Sequence, residues 1–173
     1  MKMFSTIAAT LLLGTAHSAA AGHHETATIV DTAVASPQHE TLVAAVKAAE
    51  LVDALSGAGP FTVFAPTDQA FANLPEGTVL ALLKAENRAQ LQAVLTYHVV
   101  AGRVTAADLV SQIGDNGGSA KLTTLEGSVL TARLDDGTVT ITDENGGIAR
   151  VVNADLAASN GVIHVTDAVS LPG

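Results

Sequence analysis

Phe61-Thr62-Val63-Phe64-Ala65-Pro66-Thr67-Asp68-Gln69-Ala70-Phe71 is the stretch on which the fold reading turns. Its first half reads as a strand. Thr, Val and Phe suit a pleated, half-buried surface, Gly59-Pro60 starts the run, and Pro66 stops it. Thr67 can then cap a short helix carrying Ala70 and Phe71. Three of the five aromatic residues of the chain lie in these eleven positions; the others are Phe4 and Tyr97. A core so short of aromatics has to be anchored where they are.

Working outward toward the N-terminus, Ser36-Pro37 predicts a helix start, with the hydroxyl as N-cap and Pro at the first helical position. Leu42, Val43, Val46 and Ala49 follow at helical spacing, and a second short turn, Leu51–Leu55, ends at Ser56-Gly57. Toward the C-terminus, Val79, Leu80, Leu82 and Leu83 predict one helix. Asn87 predicts the cap of another that bears Leu91, Val94 and Leu95. From Lys121 the period changes to two: Leu130, Ala132 and Leu134 alternate with Val129, Thr131 and Arg133. Asp136-Gly137 is a hairpin turn into Thr138–Thr142, Asn145-Gly146-Gly147 turns into Ile148–Val152, and Gly161–Val165 is a last strand. Helices first and antiparallel strands after define an α+β chain. No internal repeat or linker interrupts residues 27–173, which predicts one domain there.

Composition narrows the function. The chain has 173 residues, 17 acidic against 8 basic, and a net charge of −9. Nucleic-acid binding rests on phosphate neutralisation, so no nucleic-acid partner is expected. Cysteine is absent, which removes disulfides, thiolate catalysis and zinc-thiolate sites. Trp is absent and Tyr single, so sugar or base stacking on aromatic platforms is not expected. Ala supplies 32 residues, leaving Val, Leu and Ile to fill the core.

Met1–Ala21 reads as a secretory signal peptide. Lys2 gives the positive start, Leu11-Leu12-Leu13 centres the apolar stretch, and Ala19-Ala20-Ala21 fits the cleavage rule. Residues 22–26 are then a polar tail and 27–173 the domain. No later segment offers the ~18 apolar residues of a membrane helix, so a secreted or periplasmic product is expected.

Three segments together resemble the fasciclin-like domain family. The opening stretch resembles its first signature. Leu95-Thr96-Tyr97-His98-Val99-Val100 is similar to its Tyr-His motif, and Asn160-Gly161-Val162-Ile163-His164-Val165-Thr166-Asp167 to its second signature. The resemblance spans about residues 27–171. It implies a wedge of two β-sheets with helices packed along one side. It also implies an adhesion or interaction module without an active site, binding a protein or a cell-envelope or matrix component.

Read physically, the motif residues have structural work. Phe61, Phe64 and Phe71 supply core bulk. Thr67 and Asp68 sit where a helix begins and can meet its free N–H groups. Tyr97 and His98 need hydrogen-bond partners if buried. His164 lies between Ile163 and Val165, so its side chain opposes theirs and is either exposed or turned to a second layer. Gly161 and Asp167 complete the motif. No Gly-x-Ser-x-Gly elbow or other catalytic serine accompanies the histidines, so no catalytic residue and no cofactor are expected. The acidic turns at Asp115, Asp135-Asp136 and Asp143-Glu144 lack calcium-loop spacing and read as turn chemistry. There is no Arg-Gly-Asp tripeptide. Cleavage after Ala21 would expose Gly22-His23-His24, whose amine, amides and third-position imidazole suit square-planar Cu(II). The competing function is a carrier that holds an apolar small molecule in a groove between helices and sheet.

Overall fold

The computed structural model describes residues 27–173. The signal-peptide reading, residues 22–26 and the Gly22-His23-His24 copper site lie outside the described residues.

The helices are α1 (Ile29–Val34), α2 (Glu40–Ala48), α3 (Val52–Leu55), α4 (Asp68–Ala72), α5 (Thr78–Leu82), α6 (Arg88–Tyr97) and α7 (Ala106–Asp115). The strands are β1 (Phe61–Pro66), β2 (Val99–Ala101), β3 (Ser119–Thr123), β4 (Val129–Asp135), β5 (Thr138–Thr142), β6 (Ile148–Ala158) and β7 (Gly161–Thr166).

Seven strands form one mixed sheet in the order β2-β1-β7-β6-β5-β4-β3. The β1–β7 pair is parallel and every other pair antiparallel. This corrects the expected wedge of two sheets. The reason is β6. Its start, Ile148–Arg150, pairs with β5, and Val151–Ala158 pairs with β7, so one strand serves both halves. Register shifts at Val151/Asn153 and Asn153/Leu156 bend it, and Asp155 takes φ 58°. Bulges of this kind raise local twist and curl a sheet. The outer strands then almost meet. Val100 bridges Thr124, and the Leu125 N–H donates to the Val99 carbonyl at 2.8 Å.

The core has two layers. One lies inside the curl, where Phe64, Tyr97, Leu109, Ile113, Leu130 and Ile141 pack together. The other lies between the helices and the outer face of β1 and β7, through Leu42, Val46, Leu55, Val63, Leu95 and Ile163. β1 and β7 are therefore covered on both faces, which is why they read as near-continuous apolar runs.

Several local readings shift. Ser36-Pro37 makes a turn, and α2 begins only at Glu40. The Ser36 hydroxyl instead meets the Gln38 N–H at 3.4 Å and His39 Nδ1 at 2.8 Å. Asn87 stands before α6 without capping it; its side-chain amide donates to the Ala81 carbonyl in α5 at 2.7 Å. Strand β6 runs six residues beyond Val152. Helix α7 opens with a capping box: the Thr105 hydroxyl accepts the Asp108 N–H, and the Asp108 carboxylate accepts the Thr105 N–H.

Candidate functional site

The motif residues sit on four joints between elements, and the structure does not bring them into one pocket. At the first joint, Thr67 caps α4 by accepting the Ala70 N–H at 3.2 Å. Asp68 reaches across the fold. Its carboxylate accepts the Thr41 N–H of α2 at 2.8 Å, and its own N–H donates to the Gln38 carbonyl. It thus serves the open N-terminus of a helix 27 residues earlier, where a carboxylate is favoured by free N–H groups and the helix dipole. His39 lies buried beside it. Burial holds the His39 pKa below 6.5, against the pull of Asp68 and the Ala65 carbonyl. That carbonyl is outside hydrogen-bond geometry with Nε2, which has no partner among the described residues.

The second joint is the Tyr97-His98 pair. The Tyr97 hydroxyl accepts the Glu144 N–H at 3.0 Å. His98 Nδ1 faces the Val94 carbonyl at 2.8 Å, and Nε2 accepts the Ser170 N–H at 3.0 Å. A carbonyl only accepts, so the proton is on Nδ1 and the ring is neutral. Asp143 completes the joint by accepting the N–H groups of Asn145, Gly147 and Leu171. Helix α6, the β5–β6 turn and the C-terminal segment are thereby tied together.

At the third joint His164 is 0 % exposed. The alternative of an exposed ring is corrected: β7 is covered on both faces, and the ring turns to the inner layer. Nε2 meets the Val104 carbonyl at 2.8 Å, Nδ1 accepts the Asp155 N–H at 3.3 Å, and the ring stacks on Phe64 with centroids 5.5 Å apart. Asp155 in turn accepts the Ala106 N–H at the start of α7.

The fourth joint is Asn160-Gly161. The Asn160 side chain accepts the Ile29 N–H and donates to the carbonyls of Leu55 and Gly57, while its own carbonyl accepts the Phe61 N–H. Gly161 presses against the Phe61 backbone. Asp167 brackets Arg150 by accepting its N–H and donating to its carbonyl. Asp155 carries no local sequence signal, Asp143 reads only as turn chemistry, and Asn160 only as the first residue of the third motif segment. Asn beside Gly is ordinary turn chemistry, and nothing local says which distant backbone such a side chain will meet.

His98 gives a pH prediction. Its pKa is held below 6.5, chiefly by burial, against the Val94 carbonyl and Asp143. The unfolded chain therefore takes up this proton at a higher pH than the folded one. Stability from the neutral ring is fully present above about pH 6.5 and declines as pH falls from there toward the folded pKa. Urea midpoints should fall between pH 7 and 5.5. His98→Gln, which keeps a donor and an acceptor, should flatten that fall. An unchanged slope would remove His98 as its source.

Between α1, α2 and the sheet lies an apolar cavity of about 30 Å³, lined by Ile29, Leu42, Val46, Leu55, Val63 and Leu95 among others. That is far below the ~300–1,000 Å³ of ordinary ligand pockets. Among the described residues no group of three or more His, Asp or Glu side chains is placed to hold a metal, and no helix is long and apolar enough to cross a membrane.

A model of the fasciclin domain matches residues 37–172. The chain belongs to the fasciclin domain family. Protein sll1483 of Synechocystis sp. is 51% identical over 145 residues, covering 84% of this chain and 73% of that protein. Protein sll1735 of the same organism is 46% identical over 145 residues, 84% of this chain and 98% of its own length. Among solved structures, a domain pair from the insect cell adhesion molecule fasciclin I superposes with a TM-score of 0.71. It is 22% identical, and the match covers 83% of this chain and 50% of that one. This likeness speaks to the fold. The three motif segments are thus the joints of a fasciclin domain.

Proposed function

We propose that this fasciclin domain is an exported, non-enzymatic interaction module that binds a protein or a cell-envelope or matrix component. In this reading residues 1–21 are a signal peptide removed on export, 22–26 are a polar tail, and 27–173 form the single domain. The observation that carries it is where the motif side chains go. Thr67, Asp68, Tyr97, His98, His164 and Asp167 hydrogen-bond to backbone within the fold. They join elements, which leaves recognition to the surface. The adhesion role belongs to the insect protein and comes here as an analogy of fold. The carrier reading gains nothing from a cavity of about 30 Å³ and would need the open groove of about 440 Å³ lined by Thr78, Leu82, Val94, Glu126 and Leu171.

The test has two parts. N-terminal sequencing of exported protein should begin at Gly22 or within a residue or two; a start at Met1 overturns the export reading. Residues 22–173 immobilised and exposed to envelope extract should retain an envelope or protein partner. Organic extracts of the purified protein should carry no stoichiometric apolar compound. A bound coloured or ultraviolet-absorbing compound, with no envelope partner retained, would favour the carrier instead.

A further inference from the structure

Strands β3 to β6 have one face turned to α7 and one turned outward. The pairing Ala120–Ala132–Ile141–Ala149 runs across the four strands on the buried face. Side chains alternate along a strand, so the neighbouring rows point out. One is Ser119–Arg133–Thr140–Arg150, in which Thr140 is buried between the arginines with its hydroxyl donating to the Arg133 carbonyl at 3.4 Å, and the next is Lys121–Thr131–Thr142–Ile148. Lys121, Arg133, Arg150 and Ile148 are all exposed.

This distribution is unusual for the molecule. The described residues hold seven Lys and Arg in a chain of net charge −9, and three of the seven share this face. Of the other four, Arg88 pairs with Glu50 at 3.1 Å, and Arg103 donates to the carbonyls of Ala158 and Gly161. On the face, Arg150 meets Asp135 at 3.4 Å, but both side chains are more than half exposed. Such a pair is worth little and yields readily to a better anion. Arg133 and Arg150 flank Thr140 two strand spacings apart, about 10 Å between backbones. Lys121 sits diagonal to Arg133, across from Thr131.

Acids bound the face at both strand ends. Asp115 and the Asp135-Asp136 turn stand at one end and Glu126 and Glu144 at the other, while the exposed Asp167 carboxylate lies at the Arg150 backbone on the β7 side. A flat anionic surface such as a bilayer would be pressed against those carboxylates. A thin anionic chain lying across the strands would run between them, along the cations. The rows also place the Thr131 and Thr142 hydroxyls beside the cations. Cations with partly exposed hydroxyls beside them match a polymer whose carboxylates are separated by hydroxyl-bearing rings.

We propose that the outward face of β3–β6 binds a carboxylate-bearing polysaccharide, with Arg133 and Arg150 holding carboxylates by paired N–H donors and Lys121 adding a third charge. This rests on the interaction-module reading and names its surface and partner class.

The experiment uses residues 22–173 and polygalacturonate, with neutral dextran and phosphatidylglycerol vesicles as comparison probes. Polygalacturonate should be bound at 20 mM NaCl, and affinity should fall steeply by 300 mM as released counterions are replaced. Arg133→Glu with Arg150→Glu should weaken binding at least about tenfold, because two attractive contacts become repulsive. Lys47→Glu with Lys84→Glu makes the same change in net charge elsewhere and should stay within about twofold. Circular dichroism checks that each variant is folded; if the Arg pair to Glu is not, Arg133→Gln with Arg150→Gln replaces it, with the same expectation. The proposal falls if polygalacturonate is not bound at low salt, if dextran binds equally, if vesicles bind and polygalacturonate does not, or if both double variants weaken alike. Envelope partners still retained after any of these failures would leave the interaction-module reading standing without this surface.

Discussion

Phe64→Ala is expected to lower the free energy of unfolding by about 3–5 kcal/mol, the range for truncating a well-buried Phe. Phe64 is 2 % exposed and packs in the inner layer with Tyr97, Leu109 and Leu130. It also stacks on His164, so truncation removes an aromatic contact along with the burial. Its neighbours cannot readily fill the gap. Its own N–H is tied to the His98 carbonyl at 2.8 Å, and the strands around it are fixed by pairing on both sides. The loss is a large share of the ~5–15 kcal/mol that holds a domain together. Urea unfolding at constant slope measures it. A change below about 1 kcal/mol would mean that Phe64 is not a packing anchor.

The same residue shows how much the sequence discloses. Phe64 could be placed in the core because apolar bulk, strand propensity and scarcity of aromatics agree there. The alternation from Lys121 to Thr142 was likewise legible, and it fixes which face of β3–β5 is buried. Where elements pair with distant partners, local pattern stops helping. Nothing in Asn153-Ala154-Asp155 announces a strand, because Asn and Asp favour turns and Ala is a poor strand former. The chain nonetheless continues as β6, with two register shifts and a positive φ at Asp155. That continuation joins the two expected sheets into one. Helix α7 has a readable signal in Thr105-Ala106-Ala107-Asp108, the spacing of a capping box. Asp68 shows the sharper limit. Its type and position indicate a helix N-terminus, but the helix it serves is α2 and not the one it begins. Capping chemistry is visible in sequence; the identity of the capped helix is a tertiary fact.

Gly161→Ala is expected to cost at least about 3 kcal/mol, at the upper end of overpacking penalties. Gly161 starts β7 opposite Phe61, in the one parallel pair of the sheet. A Cβ built there overlaps the Phe61 carbonyl oxygen and stands 2.8 Å from Ile29 Cδ1. Ile29 could turn aside, being a side chain. The Phe61 carbonyl cannot, because the adjacent Phe61 N–H is held by the Asn160 carbonyl at 2.9 Å. Relief therefore requires β1 and β7 to part, and these two strands separate the two core layers. Gly114 supplies the control. It lies in α7 with nothing within 4 Å of a built Cβ, and its φ is not in the left-handed region. Gly114→Ala should be neutral or stabilising by up to about 1 kcal/mol, through helix propensity and a less flexible unfolded chain. The two substitutions add the same methyl group. Opposite shifts in the urea midpoint would locate the cost in the β1–β7 contact; equal shifts would show that Gly161 is not held by close approach.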